Sequence, residues 1–390
     1  MADSASPSHP APGSRPRPLH AALITTEHLG RIQPLALAPA WLAIAAISCW
    51  PWGDLRLSAG ILTLVFIIDT GVGLALLPRT GRSFGPVTPS LLAMALVYGA
   101  LTFVVGMVWP VWAGLALAAV LNLAMSAVFV YATWIEPFRI QVTREELRSP
   151  KLEGERPLRL LHLSDIHIER ITAREREALR LAHELAPDIV ILTGDYLNQS
   201  YIHDPEVQAD AHPLLAELCA TVDAPVYAVT GSPPIDVADV VPGIFADLPI
   251  TWLHDEVADV RAAGHELRLA GLRCRREREI DVPRLQRLLN DFPAEPFTVL
   301  LYHSPDLVPE AAALGVDLVL CGHTHGGQIR LPLIGAVFTS SDFGKRYEMG
   351  RYQEGATTLY VNRGLGMEGF GAPRARLLAR PEMVLWTLSG

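Results

Sequence analysis

Six side chains that can bind metal ions follow short apolar runs in the second half of the chain. Four runs, 158–163, 189–193, 299–302 and 316–320, each end within a few residues of an aspartate or a histidine. Apolar runs of this length are typical of buried strands, and in open α/β sheets ligands collect outside the carboxyl ends of the strands. The six candidate metal ligands are Asp165, His167, Asp195, His303, His323 and His325. We therefore predict that they converge on one site.

The types of these six residues indicate which ions they bind. Two carboxylates and four imidazoles, without a thiolate, suit divalent ions such as Mn, Fe or Zn. Six ligands suit a pair of ions about 3.5–4 Å apart that share a carboxylate, and such pairs hydrolyse phosphate esters with a metal-bound hydroxide. Asp195, which follows Gly194, is the candidate bridge, and Asp195 and His325 are the candidate catalytic residues. The predicted ligands are Asp165, His167 and His325 for one ion, His303 and His323 for the other, with Asp195 shared.

These residues resemble the motifs of the calcineurin-like metallophosphoesterase superfamily, which run D-x-H, G-D, G-N-H-[DE], H and G-H-x-H in this order. The resemblance covers roughly residues 155–390, and the segments 322–329 and 361–366 look closest to the small bacterial membrane-anchored branch. It implies a two-sheet α/β sandwich flanked by helices, a dinuclear centre and hydrolase activity, such as that of a phosphodiesterase. Some members of the branch are similar to enzymes that cleave lipid-linked pyrophosphates such as UDP-diacylglucosamine. Ser232 and Arg363 are the candidate substrate-binding residues.

One motif departs from the family pattern. Where the family has G-N-H-[DE], residues 231–236 read Gly-Ser-Pro-Pro-Ile-Asp. The resemblance implies that the missing Asn binds the second metal and that the missing His acts on the leaving group, so Ser232 predicts a weaker second metal site. Loss of a general acid lowers a rate by roughly 10²–10⁴-fold, and pyrophosphates need the least protonation. Two hypotheses follow: a hydrolase for such substrates, or a degenerate member that binds metal or ligand without turnover.

The first third of the chain has the composition of a membrane region. Residues 33–135 contain long uncharged apolar stretches, and a helix needs about 20 apolar residues to cross a bilayer. We predict four transmembrane helices at 34–51, 57–77, 88–109 and 111–134. Arg79 and Arg82 lie in the second predicted loop, and Arg139, Arg144 and Arg148 follow the fourth predicted helix. By the positive-inside rule, this predicts a multi-pass protein of the inner (cell) membrane with both termini and the catalytic domain in the cytoplasm.

These patterns together predict the organisation of the chain and its partners. We expect a disordered tail at 1–32, the four helices at 33–135, a linker at 136–155 and the metallophosphoesterase domain at 156–390. The net charge of −9 and the absence of a basic cluster in the soluble part argue against nucleic acid as a partner. The expected partners are the membrane and a phosphorylated small molecule or lipid. The four cysteines lack the C-x-x-C spacing of disulfide or zinc frameworks.

Overall fold

The computed structural model describes residues 26, 28–290 and 295–390, and its contacts divide the chain into two units. One unit comprises Glu136–Glu368 together with Arg376–Gly390. The other comprises the described residues up to Ile135 together with Gly369–Ala375. The apolar helices and the predicted metal ligands therefore belong to different units.

The helical unit contains three helices that are long and apolar enough to cross a membrane, not the four predicted from the sequence. Its α-helices are Ala38–Ser48 (α1), Arg56–Arg79 (α2), Val87–Val108 (α3) and Trp112–Val130 (α4). The first predicted span is too short because it begins with a 3₁₀ turn at Pro34–Leu37, and the α-helix that follows has only 11 residues. The predicted tail at 1–32 lies almost entirely outside the described residues, of which His28–Arg31 form a 3₁₀ turn.

Buried hydroxyl groups connect the long helices of this unit. The hydroxyl of Tyr98 on α3 lies 2.8 Å from Thr70 Oγ1 on α2 and 2.8 Å from Ser126 Oγ on α4. Asn122 on α4 donates a hydrogen bond of 3.0 Å to Thr102 on α3. Interhelical hydrogen bonds of this kind hold membrane helices together, because lipid tails supply no hydrophobic drive for helix association.

The other unit is a sandwich of two six-stranded sheets, as the resemblance implies. The first sheet has the order β1-β14-β2-β3-β4-β5, with Gln141–Arg148 (β1), Leu158–Leu163 (β2), Ile189–Leu192 (β3), Val226–Ala228 (β4), Ile250–Trp252 (β5) and Glu382–Ser389 (β14). The second has the order β12-β13-β9-β8-β7-β6, with Glu256–Ala262 (β6), His265–Gly271 (β7), Phe297–Leu301 (β8), Leu318–Cys321 (β9), Gly350–Glu354 (β12) and Thr357–Val361 (β13). A short hairpin pairs Arg330–Leu331 (β10) with Gly335–Ala336 (β11).

Strand β1 lies within the segment that the sequence predicts to be a linker. It pairs in parallel with β14, so that residues 141–148 form the edge of the first sheet. The sequence of β1 is polar and its residues are mostly exposed or half-buried, which is why it has no apolar run by which a strand could be predicted. The unit that contains the two sheets therefore begins close to residue 136, whereas the sequence predicts a domain that begins at 156.

Apolar side chains line both faces of each sheet. Alternate residues of β2, such as Leu160 and Leu161, point to opposite faces: Leu160 packs into the core between the sheets, and Leu161 packs under the outer helices. The outer helices are Ala173–Leu185 (α5), Pro205–Thr221 (α6), Val241–Phe245 (α7), Arg278–Asn290 (α8) and Val308–Ala313 (α9). Because both faces are buried, β2, β3, β8 and β9 appear in the sequence as continuous apolar runs.

Candidate dinuclear metal centre

The six predicted ligands form two buried groups at the carboxyl ends of strands from both sheets. Asp165 and His167 follow β2, Asp195 follows β3, and the three remaining histidines follow β8 and β9. The first group is Asp165, His167 and His325, and the second is Asp195, His303 and His323. In each group the ligand atoms lie within 4.8 Å of one another. The sequence predicts the same two sets with Asp195 shared between them, and the binding of metal by these residues remains a prediction.

In the first group, the ring nitrogens of two histidines face each other. Nε2 of His167 lies 3.0 Å from Nε2 of His325. Oδ1 of Asp165 lies 3.4 Å from Nε2 of His325 and 3.9 Å from Nε2 of His167. Three donor atoms that converge in this way, with all three residues buried, match the ligand set of a divalent ion.

The second group has the same character. Nε2 of His303 lies 3.1 Å from Oδ2 of Asp195 and 3.2 Å from Nδ1 of His323. Nδ1 of His303 lies 2.7 Å from the carbonyl oxygen of Thr193, so this nitrogen donates its proton outward and leaves Nε2 free to face the centre.

Asp195 lies between the two groups. Its Oδ2 atom is 3.1 Å from His303 in the second group and 3.7 Å from His167 in the first. A carboxylate placed at both groups is what a two-metal site requires of its bridging ligand.

The backbone at the ligands is strained. Asp165, His167, Asp195, His323 and His325 have φ angles of 47°, 44°, 58°, 71° and 52°. Residues other than glycine rarely adopt the left-handed region, and such conformations cluster at functional sites because the surrounding structure must hold them in place. Five of the six ligands therefore occupy unfavourable backbone conformations that turn their side chains into the centre.

Two glycines allow the loops to approach the carboxylates. A Cβ atom at Gly231 would lie 2.1 Å from Oδ1 of Asp195, and one at Gly322 would lie 2.0 Å from Oδ2 of Asp165. Any side chain at these positions would displace a carboxylate, so the glycines are a steric requirement of the centre.

The electrostatics of the groups favour cations. Burial lowers the pKa values of His323 and His325 well below the usual value, which keeps both rings in the neutral form that binds metals. Burial also lowers the pKa of His303, but the carboxylates of Asp195 and Asp165 outweigh burial and raise it to about 9. Burial raises the pKa of Asp195, but its histidine neighbours, chiefly His303, outweigh burial and hold that pKa below its usual range. Among these histidines, His303 is the one whose protonated form the two carboxylates favour.

Two residues that sequence reasoning missed contact the first group. Oε2 of Glu368 lies 3.2 Å from Nδ1 of His167, a charge contact that is not aligned as a hydrogen bond. The guanidinium of Arg376 lies 3.4 Å from Nδ1 of His325 and donates to the carbonyl oxygens of Gly364 and Gly366. Both residues belong to segments without an apolar run or a ligand-type motif, so the sequence pattern offered no signal for them. Carboxylates behind metal-binding histidines orient the ring and raise its basicity.

Ser232 stands beside the second group, where the family motif has its asparagine. Its hydroxyl lies 3.3 Å from Oδ2 of Asp195 and 3.2 Å from Nδ1 of His323, and its backbone N–H donates to Oδ1 of Asp195 at 2.6 Å. The hydroxyl oxygen could therefore serve as an uncharged ligand of a second ion. It extends less far toward the centre than an amide carbonyl oxygen would.

Asp236 holds this altered loop in place. Its Oδ2 atom accepts hydrogen bonds from the backbone N–H groups of Asp195 at 2.9 Å and Gly231 at 2.6 Å. Its Oδ1 atom accepts a hydrogen bond from the N–H group of Tyr196 at 3.0 Å. Burial and the nearby charge of Asp195 raise the pKa of Asp236 to about 7. Asp236 thus ties the loop after β4 to the loop after β3, although it comes two residues later than the acid of the family motif.

Arg363 is not part of the two groups. Its guanidinium lies 2.7 Å from Oε1 of Glu382, and its backbone N–H donates to Oε2 of the same residue. Its predicted role in substrate binding remains a prediction.

Replacing Ser232 with asparagine is expected to raise the affinity of the weaker metal site by about tenfold or more, because an amide carbonyl is a better ligand than a hydroxyl. Titration of the metal-free full chain with Mn²⁺, followed by calorimetry, measures this affinity. Ser232→Ala is the matched control and should lower it. Equal affinities in all three proteins would show that residue 232 does not bind metal.

Comparison with known proteins agrees with this geometry. Residues 158–327 match the family model of the calcineurin-like phosphoesterases. The chain is 29% identical over 284 residues to the uncharacterized metallophosphoesterase YkuE of Bacillus subtilis, covering 66% of this chain and 88% of the relative. It is 28% identical over 285 residues to the phosphodiesterase YaeI of Escherichia coli, covering 70% and 96%. It is 25% identical over 315 residues to the UDP-2,3-diacylglucosamine pyrophosphatase LpxG of Chlamydia trachomatis, covering 66% and 92%. Through this match, the two-sheet sandwich and the paired ligand groups, residues 158–327 are similar to the calcineurin-like phosphoesterase family.

Proposed function

We propose that this protein is a metal-dependent hydrolase that cleaves a phosphodiester or pyrophosphate bond in a membrane-associated substrate. The observation that carries the proposal is the position of Asp195, whose Oδ2 atom lies within 3.7 Å of ligand nitrogens in both buried groups. The two groups fit two divalent ions by donor type and burial.

The residues of the chain have separate parts in this reaction. When bound, the two ions supply positive charge for the phosphate oxygens and activate a water molecule. The histidines would hold the ions, and Asp195 would face both of them from its position between the two groups. The carbonyl of Thr193 keeps the ring of His303 turned toward the centre. These fixed positions orient the phosphate before the bond breaks, which is a main source of rate enhancement in phosphoryl transfer.

The altered third motif favours a particular class of leaving group. Pro233 stands where the family has its histidine, and Asp236 uses both carboxylate oxygens to accept backbone N–H groups. Neither residue is placed to donate a proton to a leaving alkoxide. A phosphate leaving group, with a pKa near 6, needs little protonation. The motif therefore supports a pyrophosphate substrate, the class named for the relative LpxG.

The three long apolar helices support a position in the inner (cell) membrane. Arg79 ends α2, Arg82 lies between α2 and α3, and a further basic group follows α4. By the positive-inside rule, these residues support a cytoplasmic position of the catalytic unit, whether or not the short helix α1 crosses the bilayer. An anchored enzyme meets lipid substrates at a high effective concentration, which favours a membrane-associated phosphoester.

The substrate preference can be measured with the full chain in lipid nanodiscs supplied with Mn²⁺. We expect a nucleoside-diphosphate diester to be hydrolysed roughly 10²–10⁴-fold faster than an alkyl phosphodiester, because only the alkoxide needs a general acid. The Ser232→Asn/Pro233→His double variant should narrow this ratio. An unchanged ratio would mean that the third motif does not determine the preference.

Removing and restoring the metal distinguishes a metal-dependent hydrolase from a protein that only binds metal. EDTA should abolish turnover, and added Mn²⁺ should restore it. A protein that binds Mn²⁺ tightly but hydrolyses none of the test substrates, while the double variant does, would support the alternative of a metal-binding member without turnover.

A further inference from the structure

A short apolar hairpin follows the last metal ligand. Strand β10 begins five residues after His325, and Pro332, Leu333 and Ile334 connect it to β11. We call residues 330–337 the apolar hairpin. Four residues in a row at its tip, from Leu331 to Ile334, are exposed.

Exposed apolar side chains of the catalytic unit gather at this hairpin. Leu333 has an exposed fraction of 109%, and Ile334 of 60%. Among the described residues of that unit, the large exposed apolar side chains are Ile280, Leu331, Leu333, Ile334, Val337 and Leu378. Five of these six lie in the hairpin or beside its base, since Leu377, the neighbour of Leu378, bridges to Ile329. A local concentration of this kind marks an interaction surface, whereas single exposed apolar residues do not.

A leucine at position 333 destabilises the isolated hairpin for two reasons. Its φ angle is 67°, a conformation that glycine or asparagine adopts at lower cost, and its side chain contacts water instead of the core. A polar turn residue would make a more stable hairpin within the unit. The presence of a leucine at this position therefore favours an interaction of its side chain with a partner outside the unit.

The hairpin is firmly connected to the metal centre. Gly327, two residues after His325, packs so closely on Ala336 that a Cβ atom there would lie 2.3 Å from the alanine Cβ. Val337 N–H donates to Ile329 at 3.1 Å. Ser340, just past the hairpin, donates its hydroxyl to the carbonyl of His323 at 2.8 Å. Whatever binds the tip is consequently held at the rim of the site.

The charge beside the tip is positive. Lys345 donates to the carbonyl oxygen of Ile334 at 3.0 Å, which places an ammonium group directly behind the exposed apolar residues. An apolar tip backed by a lysine matches the boundary between the acyl chains and the anionic headgroups of a bilayer. The same chain contains three helices long and apolar enough to cross a membrane, which favours a bilayer as the partner of the tip.

From these observations we infer that the apolar hairpin inserts into the surface of the bilayer and presents lipid-linked phosphoesters to the metal centre. Leu333 and Ile334 enter the acyl region, and Lys345 contacts headgroup phosphates. The substrate class rests on the proposed function, but the insertion of the hairpin does not.

Insertion can be measured without any enzymatic reaction. The full chain carrying Leu333→Cys, in a Cys49→Ser/Cys219→Ser background, is labelled with a fluorophore and placed in nanodiscs of phosphatidylethanolamine and phosphatidylglycerol. Nitroxide groups on the upper acyl chain of added lipid should quench this label. The matched control is a label at Arg261→Cys on β6, where the described residues include no large exposed apolar side chain nearby, and it should remain unquenched.

The contribution to catalysis is tested with paired substrates. Leu333→Asp/Ile334→Asp should lower kcat/KM for a lipid-embedded pyrophosphate by about tenfold or more and leave that for a water-soluble pyrophosphate diester unchanged. Ile280→Asp removes the exposed apolar residue outside the cluster and should change neither value.

Each outcome decides the inference. An unquenched label at 333 overturns the insertion, even if the protein is an active hydrolase. Quenching in a protein without turnover supports the insertion and rejects the proposed function. The inference is also overturned if the label is shielded from water only when a second copy or another protein is present, and nitroxide lipid does not quench it.

Discussion

Replacing Asp195 with alanine is expected to lower hydrolysis by at least about 10³-fold and to weaken both metal sites, not one. Metal ions contribute several kcal/mol of transition-state stabilisation, and each 1.4 kcal/mol corresponds to a factor of ten in rate. The effect extends to both ions because Oδ2 of Asp195 lies 3.1 Å from His303 in one group and 3.7 Å from His167 in the other. Metal content by elemental analysis, together with turnover in the nanodisc-embedded chain, measures the result.

Asp188 provides the matched control for this experiment. It precedes β3, and Asp195 follows it, so the two carboxylates mark opposite ends of one strand. Asp188 pairs with Arg156 and accepts the backbone N–H of Arg159 at 2.8 Å. Asp188→Ala should therefore reduce stability slightly and leave metal content unchanged. If Asp195→Ala kept one ion at full affinity, Asp195 would be a ligand of one ion only and not a bridge.

Replacing Asp236 with alanine is expected to destabilise the loops of the metal centre by about 3–5 kcal/mol. The substitution leaves three buried N–H groups, those of Asp195, Tyr196 and Gly231, without their acceptor. Each unpaired buried donor costs about 1–3 kcal/mol, and water entry recovers part of this. Hydrogen exchange in peptides that span 193–197 and 229–233 should accelerate by about 10²-fold or more.

Two further variants test the reason for this effect. Asp236→Asn keeps one acceptor oxygen but turns an amide NH₂ toward a backbone donor, so its effect should be intermediate. Asp239→Ala changes an exposed aspartate three residues later and should leave exchange unchanged. Equal exchange in Asp236→Ala and Asp239→Ala would show that the carboxylate of Asp236 does not hold the two loops together.

The sequence predicted the strands that deliver the ligands because both faces of these strands are buried. Burial on two faces requires a continuous apolar run, and a run followed by Asp or His is visible without any knowledge of long-range contacts. Strand β1 was missed for the same reason: it is an edge strand with polar residues, and only its pairing with β14 identifies it. The number of long helices was predicted as four instead of three, since the apolar composition of 34–51 does not show that its α-helix spans only Ala38–Ser48.

The function of Asp236 also depended on the structure. The sequence shows an acid two residues late for its motif, and this spacing alone leaves its role open. The three backbone hydrogen bonds assign Asp236 to the support of the loops. Glu368 and Arg376, which contact His167 and His325, lie in segments without periodicity, so no local pattern indicates them.

By itself, the sequence determined the family motifs, the six candidate ligands at the ends of apolar runs and the apolar composition of the first third of the chain. These are local properties, since burial and ligand chemistry dictate residue type position by position. Only the tertiary structure decided that Asp195 lies between the two groups, that five ligands adopt strained φ angles and that the apolar side chains of the hairpin remain exposed. Such features arise from contacts between residues far apart in the chain, and the energy of those contacts outweighs the local preference of each residue.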